Sequence, residues 1–250
     1  MDPRINVINK RLAHVKKIIA VSGGKGGIGK STFSAILALT LSQAGYKVGL
    51  MDLDFWGPSD HVILGAHGIS PVEDKGIVPP QISGIKFMSI IYYTKDKTLA
   101  LRRSGFDDAV IELVAVTQWG LLDYLIMDMP PGIGDATLDA IRFMEKVRFC
   151  IITTYSKVVM ETVKKTLNML TQLEIPIVGV VQNMKEKGFS VEEQIKVFNA
   201  PFLGKIDFDS KLENAVGDSK KLLETKFAGN VNELVHKDNH NPFQIKSLQK

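Results

Sequence analysis

Apolar positions along the chain fall into short unbroken runs, separated by stretches with a helical period. Lys17-Ile-Ile-Ala-Val21, Val48-Gly-Leu-Met51, Ile85-Lys-Phe-Met-Ser-Ile90, Asp123-Tyr-Leu-Ile-Met127, Phe149–Thr153, Ile175–Val181 and Phe202–Ile206 read as strands. Such runs put apolar residues on both faces of a strand, which suits a parallel sheet covered on both sides. Phe33, Ile36, Leu37, Thr40, Leu41 and Ala44 share one face of a helix, and Gly45 closes it. Further helices are predicted over about 106–117, after Gly132, and near 157–172. Ile5, Ile8, Leu12 and Val15 are spaced for a short docking helix over about 5–15, and the tail from about 211 reads as mostly helical. Residues 56–85 hold several Gly and Pro and little periodicity, and read as loop and irregular pieces. Strands alternating with crossover helices predict an α/β fold: a doubly wound, mainly parallel sheet with helices on both faces. No linker interrupts the pattern, so residues 1–250 are expected to form a single domain.

Composition narrows the class. With 45% hydrophobic and 23% charged residues in 250, the chain is neither disordered nor fibrous. The net charge of +4 comes from dispersed lysines and arginines, which argues against a nucleic-acid stripe. No apolar run reaches the ~18–20 residues of a membrane span, and the first residues carry no apolar signal core. A cytoplasmic protein is expected. The one cysteine, Cys150, excludes an internal disulfide and a thiolate metal cage within the chain. It lies on an apolar strand, where a thiol packs like a small hydrophobe.

The chemistry begins at Gly24-Lys-Gly-Gly-Ile-Gly-Lys-Ser31, which fits GxxxxGK[ST] between a strand and a helix. Gly24, Gly26, Gly27, Ile28 and Gly29 let backbone N–H groups turn inward onto phosphate oxygens, helped by the positive end of the following helix. Lys30 is expected at the β- and γ-phosphates, the Ser31 hydroxyl on Mg²⁺, and Thr32 at the α-phosphate. Lys25 is a second cation in the loop: either a solvated lysine or one that reaches a second nucleotide across a dimer.

Three carboxylates stand at strand ends, where sheets of this kind bind ligands. Asp54 is placed to orient an attacking water or to hold a water on Mg²⁺. Asp52 is either part of this site or a strand-end residue bonded to backbone. Asp128 follows Leu125-Ile-Met127 as a metal-associated acid. Pro130 and Pro131 stiffen the next step, so that Gly132 can present its N–H to the γ-phosphate. No nucleophile–base set is visible, and the five histidines show no metal-ligand spacing.

The loop GGKGGIGKST, the strand end MDLDFWGPS, the segment WGLLDYLIMDMPPGIGD and the strand end VVQNM, in that order, resemble the Mrp/ApbC family. These are deviant Walker A ATPases linked to iron–sulfur cluster assembly, related to MinD, ParA and nitrogenase iron proteins. The resemblance covers roughly residues 5–230. It implies Mg²⁺-dependent ATP hydrolysis with Lys25, Lys30 and Asp54 catalytic; Ser31, Asp54 and Asp128 at the metal; and Asn183 at the adenine ring. It implies that Asp135 closes the switch motif and that Lys25 reaches across a homodimer sandwiching ATP. Iron–sulfur apoproteins or a scaffold protein are the implied partners, rather than membrane or DNA. A MinD- or ParA-like spatial regulator is the alternative reading. Two positions depart from the family. Cluster carriers have a CxxC after the Asn-Met pair, whereas Asn183-Met-Lys-Glu-Lys-Gly-Phe-Ser190 has no cysteine, so the cysteines do not support an iron–sulfur cluster. Asp207 stands where the family often has proline.

Overall fold

The computed structural model describes residues 3–94, 103–132, 143–186, 189–236 and 243. The chain runs α1 (Pro3–Leu12), β1 (Val15–Gly23), α2 (Lys30–Gln43), β2 (Val48–Asp52) and α3 (Asp60–Leu64). Then come β3 (Val72–Glu73), β4 (Ile77–Val78), β5 (Gln81–Ile82), β6 (Ile85–Ser89), α4 (Ile91–Thr94), α5 (Arg103–Val116), β7 (Leu122–Asp128) and β8 (Val147–Thr153). It closes with α6 (Lys157–Gln172), β9 (Ile177–Lys185), α7 (Glu192–Lys196), β10 (Phe202–Asp207), α8 (Ser219–Leu223) and α9 (Lys226–His236).

Among the described residues, eight strands form one sheet in the order β10-β9-β8-β1-β7-β2-β6-β5. Every neighbouring pair is parallel except β5 and β6, which form an antiparallel edge. This is the mainly parallel α/β sheet expected from the strand pattern. Consecutive residues of β1, β2 and β7 are buried, so side chains pointing to either face of the sheet are covered. α1 packs on α5, while α2 packs against α3, α8 and α9.

Several boundaries differ from the sequence reading, each for a reason. The first helix ends at Leu12 because Val15 already belongs to β1, where it pairs with Leu122. α2 was expected to show one apolar face, yet every residue from Phe33 to Leu41 is buried. The sheet covers one side and α9 of the tail covers the other, so a single stripe would not suffice. The helix ends as expected: Gly45 follows with φ +87°, a left-handed conformation that costs glycine little. The region read as loop also contains α3, a short β3–β4 hairpin and β5. The helix expected after Gly132 lies outside the described residues.

The strand order places the site. The chain leaves β1 for β2, and β7 later fills the slot between them, while β8 lies on the other side of β1. Carboxyl ends of strands around such a reversal form a crevice. Register does the rest: Asp52 of β2 lies opposite Asp128 of β7 on one side and Ser89 of β6 on the other. Register partners in a parallel sheet point to the same face, so these three polar side chains come together at one end of the sheet.

Candidate nucleotide and cation site

Between Gly23 and Lys30 the backbone must turn sharply, with φ +77° at Gly27 and +79° at Gly29. The bend is clamped from two sides. A side chain at Gly24 would strike the carbonyl of Val159 on α6. A side chain at Gly29 would strike the Asn183 amide, whose Nδ2 donates to the Ile28 carbonyl at 2.8 Å. Gly29 has no side chain to cap α2, so the first N–H groups of that helix remain available to an anion. In front of them lies a cavity of about 310 Å³, lined by Lys25, Lys30, Ser31, Thr32, Asp54 and Pro131 among others. Lys25 is exposed on its rim and Lys30 is buried at its floor.

Beneath the loop, Asp128 gathers three donors. Lys30 Nζ lies 3.1 Å from Oδ1, Ser34 Oγ donates to Oδ1 at 3.0 Å, and Ser31 Oγ donates to Oδ2 at 2.6 Å. Asp52 accepts the Asp54 N–H at 3.0 Å on Oδ1 and the Ser89 hydroxyl at 3.4 Å on Oδ2. Asp54 turns its Oδ1 back onto the Gly57 N–H at 3.2 Å, which shapes the strand exit. Burial pushes the Asp52 carboxyl up to about 8, and the negative charge of Asp128 adds to the rise. Asp128 is itself raised by burial, against the opposing pull of Lys30 and the serine hydroxyls.

The structure therefore brings the loop residues, Lys25, Thr32 and Asp54 around one cavity and sets Asp128 under it. It settles Asp52 as well: its carboxylate is bonded to backbone and also lies against Asp128. Gly132 is placed differently from expectation. Its N–H donates to the Gly23 carbonyl at 3.1 Å, so it ties the β7 exit to the β1 exit instead of facing the cavity. Asn183 is 1% exposed and sits under the loop as a support, with its amide nitrogen committed to Ile28. Its Oδ1 has no partner among the described residues. Asp207 is held by Lys226 at 2.7 Å and Lys185 at 3.8 Å. Cys150 is fully buried and its thiol is pushed up to about 12 by burial. Asp135 lies outside the described residues.

Sequence reasoning did not pick out Ser34, Ser89 or Asp60. Ser34 was legible in principle, four residues after Lys30 and one turn along the same helix face. Asp60 carried no such signal. It sits in the Gly- and Pro-bearing stretch after Asp54, and only the fold swings it over Asp52 and Asp128.

A family model described as ParA, a NUBPL iron-transfer P-loop NTPase, matches residues 14–238. The iron–sulfur cluster carrier protein of Aquifex aeolicus is 36% identical over 220 residues, covering 81% of this chain and 60% of that protein. The carrier protein of Methanococcus maripaludis is 38% identical over 233 residues, covering 84% of this chain and 79% of that one. The chain thus spans about 60–70% of the length of the first relatives it matches. Among solved structures, a nucleotide-binding protein from Archaeoglobus fulgidus in complex with ADP superposes with a TM-score of 0.74 at 30% identity, covering 88% and 93% of the two chains. MinD of Pyrococcus horikoshii with Mg-ADP shares the fold, with a TM-score of 0.67 at 20% identity over 92% of this chain and 99% of that one. No helix among the described residues is long and apolar enough to cross a membrane. The P-loop, its carboxylates and these matches agree: the chain belongs to the ParA/NUBPL family of iron-transfer P-loop NTPases, the Mrp/ApbC group that its motifs resemble.

Proposed function

We propose that the protein is a magnesium-dependent ATPase that works as a homodimer around ATP and takes part in iron–sulfur cluster assembly or transfer. One observation carries this reading. The two side chains with the strongest affinity for phosphate and its metal, Lys30 and Ser31, both rest on Asp128 at the floor of a cavity walled by loop N–H groups. A triphosphate entering that cavity exchanges partners with Asp128. Lys30 turns from carboxylate to phosphate oxygens, and Asp128 loses a charged hydrogen bond of the strong kind. The donors around the vacated carboxylate are all oxygens, which suits a hard divalent ion. Ser31, Asp54 and Asp128 would hold Mg²⁺, which supplies charge neutralisation between the β- and γ-phosphates.

The remaining chemistry is positioning and electrostatics, as phosphoryl transfer requires. Lys30 stabilises charge on the transferring group, and Asp54, on the cavity wall, orients the water. Lys25 projects from the rim, where a phosphate of a facing subunit supplies its partner. Gly132 N–H reaches a γ-phosphate only by leaving the Gly23 carbonyl, which makes that bond a sensor of the triphosphate. ATP is favoured over GTP because Asn183 is followed by Met184, Lys185 and Glu186 and not by a guanine-reading Lys-x-Asp. Cluster handling relies on a partner's ligands, since Cys150 is sealed in β8.

Several measurements test the reading. Phosphate release should need Mg²⁺ and vanish with a chelator, and light scattering should show a dimer with ATP that Lys25→Ala fails to form. Flat calorimetric heats with excess ATP would end this reading. Anaerobic treatment with iron and sulfide should leave the isolated chain colourless, while ATP speeds loading of an apoprotein from a scaffold. Transfer indifferent to ATP would separate the ATPase from the cluster.

A further inference from the structure

Asp52, Asp60 and Asp128 are each 0% exposed, and one carboxylate oxygen from each lies within 4.8 Å of the others. Lys30 is the only buried lysine or arginine among the described residues, and it is committed to Asp128. Three acids therefore share one cation. The accounting of hydrogen bonds is uneven. Both oxygens of Asp128 and both of Asp52 accept bonds, whereas neither oxygen of Asp60 has a partner among the described residues. A buried carboxylate without a partner is expensive unless a proton or a cation meets it.

The helix that carries Asp60 is fixed at its far end. The Gly217 N–H donates to the Ile63 carbonyl at 3.0 Å, and Ser219 Oγ donates to the Leu64 carbonyl at 3.2 Å. The scaffold thus holds a bare carboxylate against two others. Opposite ligands of a small divalent ion lie about 4 Å apart, so slight contraction brings these three oxygens around one ion. Three carboxyl oxygen donors without sulfur or nitrogen select a hard cation.

We propose that Asp52, Asp60 and Asp128 form a divalent-cation site that fills without nucleotide, with Asp60 as its distinguishing ligand. It shares Asp128 with the magnesium position of the nucleotide but is set apart by Asp52 and Asp60, since that position depends also on Ser31 and phosphate oxygens, and it does not rest on the ATPase reading. An ion there ties α3 to the ends of β2 and β7 and leaves the cavity open for a nucleotide.

Mn²⁺ is a suitable probe. The chelator-treated, nucleotide-free full chain is titrated with Mn²⁺, and free ion is followed by electron paramagnetic resonance. One ion per chain is expected, with at least about tenfold weaker binding in Asp60→Asn. Ser31→Ala should keep the nucleotide-free ion while losing affinity for MgATP, which separates the two positions. Melting gives a crossing pattern: without metal Asp60→Asn should melt above the native chain, whereas Mn²⁺ should raise only the native chain. Native chain that leaves Mn²⁺ free up to about 1 mM would overturn the proposal. So would Asp60→Asn binding the ion as tightly as the native chain. If circular dichroism shows Asp60→Asn unfolded, Asp60→Ser takes its place and the native titration still decides. ATP calorimetry on the same samples reports the ATPase reading separately.

Discussion

The row of strand ends divides at β1 into two unlike halves. On the side of β7, β2 and β6 stand Asp128, Asp52 and Ser89, with Lys30 above them. On the side of β8 and β9 stand Thr153, Gln182 and Asn183, all neutral. Thr153 Oγ1 donates to the Thr154 carbonyl at 3.2 Å. Gln182 fastens the next turn, donating to the Phe189 carbonyl at 3.3 Å and accepting the Val191 N–H at 3.1 Å. One half is charged and incompletely neutralised; in the other these three side chains are neutral and, Asn183 Oδ1 apart, bonded among the described residues, while its charges, Lys185 and Asp207, lie paired at the outer edge. Charge lies beneath the phosphate loop. Neutral amides hold that loop and the turn after β9. Substitutions in the first half should therefore act on ligand, and those in the second on stability.

Lys30→Ala should strike hardest. Nucleotide affinity is expected to fall by more than about 100-fold, because a charge-assisted contact to phosphate is lost. Calorimetry that returned near-native affinity would erase the distinction between the halves. Asp54→Ala should leave ATP binding within about threefold and reduce hydrolysis by about 100-fold or more, read by phosphate release. Undiminished turnover would move the water-orienting role elsewhere.

On the neutral side, Asn183→Leu removes the donor to a buried carbonyl. A loss of about 1–3 kcal/mol in urea unfolding is expected, with little change in Mg²⁺ dependence. A variant as stable as the native chain would show that the loop needs no support from β9. Cys150 sharpens the same contrast. Its thiol stays protonated in the fold up to about 12, while an unfolded chain ionises near 8.5. The fold then binds the extra proton between these values, so stability is full below the lower one and declines as pH rises toward the upper. Thiol reagents at pH 8 should label the chain in urea but not the native protein, and ready native labelling would contradict the sealed strand. Asp207→Asn should matter least, under about 1 kcal/mol, since its partners Lys226 and Lys185 are solvent-accessible. A larger loss would show that this pair anchors α9.

Local order explains what could be read from sequence. The β1–loop–α2 unit is contiguous, and its glycines, lysine and serine state their own chemistry. α6 was legible because its apolar residues Val159, Val163, Leu167 and Leu170 keep one face buried. α2 was misjudged because its second apolar side, with Ala35, Ala38 and Leu39, is explained only by the tail. The meeting of Asp52 with Asp128 depends on a β2–β7 register that no local pattern encodes. Asp60 was hidden for the same reason, and so was the support that Asn183, itself picked out by resemblance, gives the loop, since its bond to Ile28 spans 155 positions. Non-local pairing also explains why the bond from Gly132 to Gly23 was not foreseen, since Gly23 ends a different strand.

Encasement of α2 has a dynamic consequence. With sheet on one side and α9 on the other, this helix has no room to slide, so it is a fixed frame for the loop at its start. Any displacement that a bound ligand causes then belongs to the segments leaving β2 and β7. Deuterium uptake should divide accordingly, with α2 amides exchanging last, those of residues 55–59 exchanging early, and those of Met129 and Gly132 changing with nucleotide.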